Sequence, residues 1–253
     1  MDYCTSCPEK TKKQSEFVHA TIFFANRLIH YIKFWRIIMR KLLYYSPTII
    51  LLFALILLGI ACESTSVNRS IQISDGEHIT SGLRSVNGSI LVGNDCKIDG
   101  DCQSVNGEIE IGEGSRVGNI RSVNGIIYVR GNARVSGDIT TVNGSVSIQE
   151  DTKVKGDINT INGGIYLERV EVDNDLTTLN GKITLDKESH VYGDIIIREN
   201  KRESRKPLSI EILNGSVLQG DIIVKDKKRP VKVHISGDSK VEGKIENAEV
   251  IRE

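Results

Sequence analysis

The sequence predicts an all-β protein, a parallel β-helix (solenoid) of about nine coils, preceded by an N-terminal signal or membrane segment. Three observations predict it: a repeat of about 19 residues, aliphatic residues at fixed positions of each repeat, and Asn-Gly and Gly-Asp pairs that return once per repeat. A unit this short cannot bury its own apolar face, so such repeats fold only when they stack. Only 5% of the residues are aromatic, which suits a narrow interior filled by Ile, Val and Leu.

The repeat is clearest from Ile127, where it reads IYVRGNARVSGDI and is followed by TTVNG. Aliphatic residues occupy positions one, three, nine and thirteen. Alternation at positions one and three predicts a strand with both side chains facing inward. The same register starts at Ile71, Ile90, Ile109, Ile127, Val146, Ile165, Ile183, Ile210 and Val233.

Glycine and asparagine columns predict the bends between three short sides of each coil. Gly stands at position eleven in most coils, where we expect a backbone conformation closed to other residues. Asn-Gly usually forms a hairpin turn, but its regular recurrence predicts a corner, with left-handed Asn residues stacked as an amide ladder. The aliphatic spacing departs from the six-residue period of left-handed helices, which favours a right-handed coil. The ladder asparagines are Asn87, Asn106, Asn124, Asn143, Asn162 and Asn180.

The motif VSGDI at 135–139 and its counterpart VKGDI at 154–158 make the repeat similar to the polymer-forming cytoskeletal repeat of bactofilins. The resemblance covers about 180 residues. It implies a β-helix and a self-polymerising cytoskeletal or scaffold protein, and it implies no enzymatic activity. Bactofilins lie in the cytoplasm or on the inner face of a membrane, whereas this chain carries an export signal.

That signal is predicted in residues 39–61, which contain Arg40 and Lys41 and then an apolar run that ends before Cys62. This order resembles the signal peptide of a bacterial lipoprotein, which implies that Cys62 is lipidated and becomes the mature N-terminus. The alternative is an uncleaved anchor over residues 42–61, which is long enough to span a bilayer. In both cases residues 62–70 form a tether, and residues 71–253 form an extracytoplasmic β-helix domain.

Residues 1–38 have two interpretations. Translation starts at Met39 and the upstream segment is a misassigned start, or residues 17–38 form an amphipathic helix on a membrane surface. Cys4 and Cys7 form a CxxC pair without a second pair, which does not indicate a metal site.

Two charged columns follow the repeat. We expect each aspartate to accept hydrogen bonds from the amides of its own Gly-Asp bend, and a row of Ca²⁺ sites is the alternative. The basic column contains His78, Lys97, Arg116, Arg134, Lys153, His190 and Lys240, and the acidic column contains Asp101, Asp138, Asp157, Asp175, Asp194 and Asp221.

No catalytic residues, cofactor or metal site are predicted, because no catalytic motif departs from the repeat. The formal net charge is zero, and the chain after Cys62 has a small acidic excess, so we expect no nucleic-acid partner. Cys96 and Cys102 share one coil, either as two buried thiols or as a disulfide, which an exported compartment permits.

Two insertions replace the Asn-Gly corner in successive late coils, after Ile195 and after Ile222. We expect them to project from one edge and to form a patch that contacts anionic lipid head groups or an acidic envelope polymer. This patch contains Arg198, Lys201, Arg202, Arg205, Lys206, Lys225, Lys227, Lys228 and Arg229.

The sequence thus predicts a non-enzymatic lipoprotein, membrane-anchored in the periplasm or on the outer membrane or cell surface, that serves as a structural or interaction scaffold in the envelope. A bactofilin-like polymer that self-associates is the first alternative. A β-helix that binds or acts on carbohydrate is the second.

Overall fold

The computed structural model describes residues 64–200 and 206–252, and over these residues the protein is a parallel β-solenoid of about nine turns with strands and no helix. Each coil contributes one short strand to each of three parallel sheets, of ten, ten and nine strands. The predicted all-β fold and its three-sided coil are therefore confirmed. The predicted N-terminal segment lies outside the described residues.

The strands of the three sheets follow one another in a fixed order along the chain. Sheet 1 contains β1 (Ser64–Ser66), β4 (Leu83–Asn87), β7 (Cys102–Asn106), β10 (Ile120–Asn124), β13 (Ile139–Thr141), β16 (Ile158–Thr160), β19 (Leu176–Thr178), β22 (Ile195–Ile197), β25 (Ile222–Val224) and β28 (Ile245–Glu246). Sheet 2 contains β2 (Ile71–Ile73), β5 (Ile90–Val92), β8 (Ile109–Ile111), β11 (Ile127–Val129), β14 (Val146–Ile148), β17 (Ile165–Glu168), β20 (Ile183–Asp186), β23 (Leu208–Ile212), β26 (Val231–Ile235) and β29 (Glu249–Arg252). Sheet 3 contains β3 (His78–Ile79), β6 (Lys97–Ile98), β9 (Arg116–Val117), β12 (Arg134–Val135), β15 (Thr152–Val154), β18 (Val170–Val172), β21 (His190–Val191), β24 (Val217–Leu218) and β27 (Lys240–Val241).

The register of the sheets follows the sequence repeat. Ile127 pairs with Ile109 on one side and with Val146 on the other, and the other predicted repeat starts continue this column in sheet 2. Both Ile127 and Val146 are fully buried. Stacking therefore pairs the backbone along the axis and fills the interior with aliphatic side chains, as the repeat predicts.

The solenoid starts earlier than predicted. Strand β1, at Ser64–Ser66, pairs in parallel with Leu83, Arg84 and Ser85. It lies in the stretch 62–70 that the sequence assigned to a tether. Backbone pairing with the next coil needs no apolar side chain, which explains why the hydrophobic pattern did not reveal this strand.

The glycine columns have a different physical cause from the one predicted. The bend and corner glycines do not adopt positive φ values, which occur in other glycines of the described chain such as Gly76 and Gly114. Instead, a Cβ atom at Gly144 would overlap the carbonyl oxygen of Gly125 in the preceding coil. These glycines are needed because the backbones of successive coils approach too closely for a side chain.

The corner asparagines form the predicted amide ladder. Each side-chain nitrogen donates to the side-chain oxygen one coil earlier, as from Asn143 to Asn124 (2.8 Å) and from Asn162 to Asn143 (2.9 Å). The ladder starts at Asn68, which accepts from Asn87. The expected left-handed conformation is wrong for the predicted corner residues, since in this ladder only Asn68 has a positive φ (63°).

Candidate functional site

The two late insertions lie at the same corner of neighbouring coils. One follows β22 and leads to β23, and the other follows β25 and leads to β26, so both connect sheet 1 to sheet 2. Arg198, Lys206, Lys225, Lys227 and Lys228 are exposed there. Lys201, Arg202 and Arg205 lie outside the described residues. The five exposed cations are called the loop edge below.

Arg229 differs from the prediction, because it is buried rather than exposed, with only 6% of its surface accessible. Its guanidinium donates to the backbone oxygens of Lys206 (2.8 Å) and Leu179 (2.9 Å) and to the side-chain oxygen of Asn180 (2.7 Å). Burial lowers the pKa of Arg229 from its ordinary value, and nearby Asp226 opposes that shift. Arg229 therefore ties both insertions to the asparagine ladder and is not part of an anion-contact surface.

The acidic column is held by backbone amides of the neighbouring coil, not of its own bend. The amide of Asp157 donates to the carboxylate of Asp138 (3.0 Å), and the amide of Asp194 donates to that of Asp175 (2.8 Å). Charge-assisted hydrogen bonds of this kind stabilise a carboxylate that has little exposure. In the described part of the chain, no group of three or more His, Cys, Asp or Glu side chains has the arrangement of a metal site.

The basic column forms an outward row on sheet 3. Lys97 pairs in register with Arg116, Arg116 with Arg134, and Arg134 with Lys153. A groove of about 350 Å³ runs along this row. Its lining includes those four cations and Lys155, and its floor includes Val117 and Val135. We call it the sheet 3 groove.

The two ends of this row are neutralised by carboxylates. Asp99 accepts from His78 (2.7 Å) and Lys97 (2.8 Å). The hydrogen bond from Lys97, followed by that from His78, lowers the pKa of Asp99. At the other end Lys153 contacts Glu171 (3.1 Å) and Asp173 (3.2 Å), and these hydrogen bonds raise the pKa of Lys153.

Cys96 and Cys102 are both free thiols and both buried, so the structure has the thiol alternative and not the disulfide. The Cys96 thiol donates to the backbone oxygen of Ser74 (3.0 Å). Burial, with a smaller effect of Asp101, raises the pKa of Cys102 to about 12. Such a thiol stays protonated near neutral pH and is a poor nucleophile.

The residues predicted to carry a membrane anchor, with Cys62 among them, lie outside the described residues. Within residues 64–200 and 206–252, no helix has the length and apolar character needed to cross a bilayer.

Comparison of the chain with protein-family models, with curated proteins and with solved structures found no match. What the structure supports is a β-helix repeat protein of about nine coils.

Proposed function

We propose that this chain is a non-enzymatic, extracytoplasmic β-solenoid lipoprotein that serves as a structural or interaction scaffold in a bacterial cell envelope. One observation carries the proposal: aliphatic side chains fill the interior of coil after coil, as with Ile109, Ile127 and Val146, which have no exposed surface. In the described coils a filled interior places contacts with other molecules on the outside of the solenoid. Partners would then bind to the three outer faces, as they do in other solenoids.

Attachment to the membrane is the second part of the proposal. One residue separates Cys62 from Ser64, the first residue of β1. A lipid on Cys62 would therefore hold the first coil close to the bilayer surface. A single acyl chain gives only reversible attachment, and stable anchoring needs more than one chain or an added basic patch. The loop edge supplies cations for such a second contact.

Lipidation can be tested by metabolic labelling of the full-length chain with an alkyne analogue of palmitate. We expect the wild-type chain to carry label and to be recovered in the membrane fraction. The variant Cys62→Ser should carry no label. Label that persists in Cys62→Ser, or a wild-type chain without label, would contradict the lipoprotein assignment.

The loop edge can be tested with vesicles that contain phosphatidylglycerol. We expect the triple variant Lys225→Gln, Lys227→Gln, Lys228→Gln to bind the vesicles about 150-fold more weakly than the wild-type chain at low salt, because each basic residue near an anionic surface contributes about 1 kcal/mol. A matched variant at three lysines that are already paired with carboxylates, Lys97→Gln with Lys153→Gln and Lys182→Gln, should sediment like the wild type. Equal sedimentation of all three chains would exclude the loop edge as a lipid contact.

A bactofilin-like polymer of right-handed coils is the second candidate. The end strands favour it, because β2 and β29 each have one edge without a paired strand among the described residues, and such edges can pair with another chain. The charged final strand Glu249–Arg252 opposes end-to-end pairing. Negative-stain microscopy of the purified chain distinguishes the two, since a polymer forms fibres and a scaffold monomer stays dispersed.

A further inference from the structure

The middle of the sheet 3 groove contains two arginines whose charges nothing in the described chain neutralises. Arg116 and Arg134 are directly paired across β9 and β12. Both side chains are exposed, and no carboxylate of the described residues lies within ion-pair distance of either one. Like charges placed directly opposite each other destabilise a sheet, so this pair costs stability that an external anion would recover.

The neighbouring residues leave room for such an anion. The side-chain column next to the arginines contains Gly118 and Ser136, between Asp99 at one end and Lys155 at the other. Glycine and serine are small, so the surface is concave beside the two guanidinium groups. Asp99 is the one carboxylate in the lining of the groove, and it is engaged by Lys97 and His78.

The spacing of the cations indicates the shape of the ligand. Successive coils are about 4.8 Å apart, as are neighbouring strands in any sheet. Arg116, Arg134 and Lys155 therefore present three exposed cations, one from each of three successive coils, along the solenoid axis, and none of them has an ion-pair partner among the described residues. A small anion would reach two of them, whereas an extended chain with a negative group on each monomer would contact all three in turn.

The chemistry of the row indicates the ligand class. Guanidinium groups bind carboxylates and phosphates through two parallel hydrogen bonds. No aromatic side chain is among the residues that line the groove, so the site lacks the stacking surfaces that single-stranded nucleic acids use.

We propose that the sheet 3 groove binds a linear polyanion, with one carboxylate or phosphate per monomer, in an extended conformation along the solenoid axis. The inference rests on the proposed function in that it names the partner class of the scaffold. The binding itself needs no lipid on Cys62, so the two proposals fail separately. A wild-type chain without palmitate label would contradict the lipoprotein assignment alone, and a labelled chain that does not bind the polymer would contradict this inference alone.

The test uses the full-length chain in a nonionic detergent and two fluorescent probes, polygalacturonate for carboxylates and long-chain polyphosphate for phosphates. We expect saturable binding of at least one probe by fluorescence anisotropy. The probe that binds more tightly shows whether the groove prefers carboxylates or phosphates. The double variant Arg116→Gln, Arg134→Gln should weaken binding at least ten-fold. It should also reduce the slope of log K against log salt by about 1.5, since each contact contributes slightly less than one.

Two controls make the result specific. The double variant Arg121→Gln, Arg130→Gln removes the same charge from two arginines that are already paired with Asp101 and Glu110, and it should bind like the wild type. Monomeric galacturonate should compete far more weakly, per carboxylate, than the polymer. Circular dichroism confirms that each variant is folded.

Four outcomes would overturn the inference. These are no binding of either polymer, an equal loss in both double variants, equal competition by the monomer, and binding of a single-stranded oligonucleotide as tight as that of the better polymer.

Discussion

At the scale of single residues, close backbone contact between coils decides where glycine is required. Gly163 and Gly164 are neighbours in the chain but differ in this respect. A Cβ atom at Gly163 would overlap the carbonyl oxygen of Gly144, whereas one at Gly164 would lie 3.1 Å from the oxygen of Lys182. Backbone atoms in a stacked sheet cannot move aside singly, so the first contact is much more costly.

We therefore predict that Gly163→Ala lowers the free energy of unfolding by about 3 kcal/mol, at the upper end of overpacking effects. Gly164→Ala serves as the matched control and should lower it by about 1 kcal/mol or less. Urea unfolding followed by circular dichroism measures both. Similar losses in the two variants would show that close approach is not the reason for glycine here.

The buried thiols lead to a prediction on reactivity. Because burial raises the pKa of Cys102 to about 12, the reactive thiolate is scarce at pH 8 and rises only as the pH approaches that value. Iodoacetamide at pH 8, read by peptide mass spectrometry, should leave Cys96 and Cys102 unmodified in the folded chain. Both should react fully in urea without reductant. Two cysteines that stay unmodified in urea until a reductant is added would instead indicate a disulfide.

At the scale of elements, the asparagine ladder joins successive corners through their side chains. Asn143 donates to Asn124 and accepts from Asn162. Asn159 lies in β16 of the next coil, and its side chain has no hydrogen-bond partner among the described residues. The two residues are both asparagines, so they differ only in their position and in their side-chain hydrogen bonds.

We predict that Asn143→Ala lowers the free energy of unfolding by about 1 to 2 kcal/mol, because it removes two exposed hydrogen bonds. Asn159→Ala should change it by less than about 0.5 kcal/mol, as surface substitutions usually do. Chemical unfolding of the two variants compares them directly. A loss at Asn159 that equals the loss at Asn143 would mean that the ladder adds no stability.

The sequence predicted the elements that repeat, but not the contacts that depend on neighbouring coils. The period of the aliphatic residues was enough to place Ile127 opposite Ile109 and Val146. It did not show that Asp138 accepts from the next coil, because both bends have the same sequence pattern. Arg229 looked like its neighbouring cations, since a charge in an irregular loop gives no signal of burial. The sequence did not predict the sheet 3 groove. The basic column was considered by itself, and the small residues Gly118 and Ser136 beside it, which make the surface concave, were not taken into account.

At the scale of the whole molecule, stability comes from the stacking of coils and decreases toward the two ends. Ile127 and Val146 in the middle are fully buried, whereas Ile71 and Ile73 in the first coil and Ile245 in the last are only partly buried. In a repeat protein each coil is stabilised by its neighbours, and an end coil has only one.

We predict a gradient of amide hydrogen exchange along the axis. Amides of β11 and β14 should exchange at the rate set by global unfolding, whereas those of β2 and β28 should exchange much faster through local opening. Exchange followed by mass spectrometry on the full-length chain measures this gradient. Uniform protection in all coils would show that the ends are covered, as they would be in a polymer.

The parallel stacking of coils is tested most directly by distances between spin labels on the outer face of sheet 2. Labels are attached at Gln72→Cys together with either Ser147→Cys or His234→Cys, in a chain whose Cys4, Cys7 and Cys62 are changed to Ser. The first pair is separated by four coils and the second by eight. At about 4.8 Å per coil, double electron–electron resonance should give a distance of about 19 Å for the pair with Ser147→Cys and about 38 Å for the pair with His234→Cys. Two similar distances, or a shorter one for the pair with His234→Cys, would contradict the solenoid and every column assigned from it.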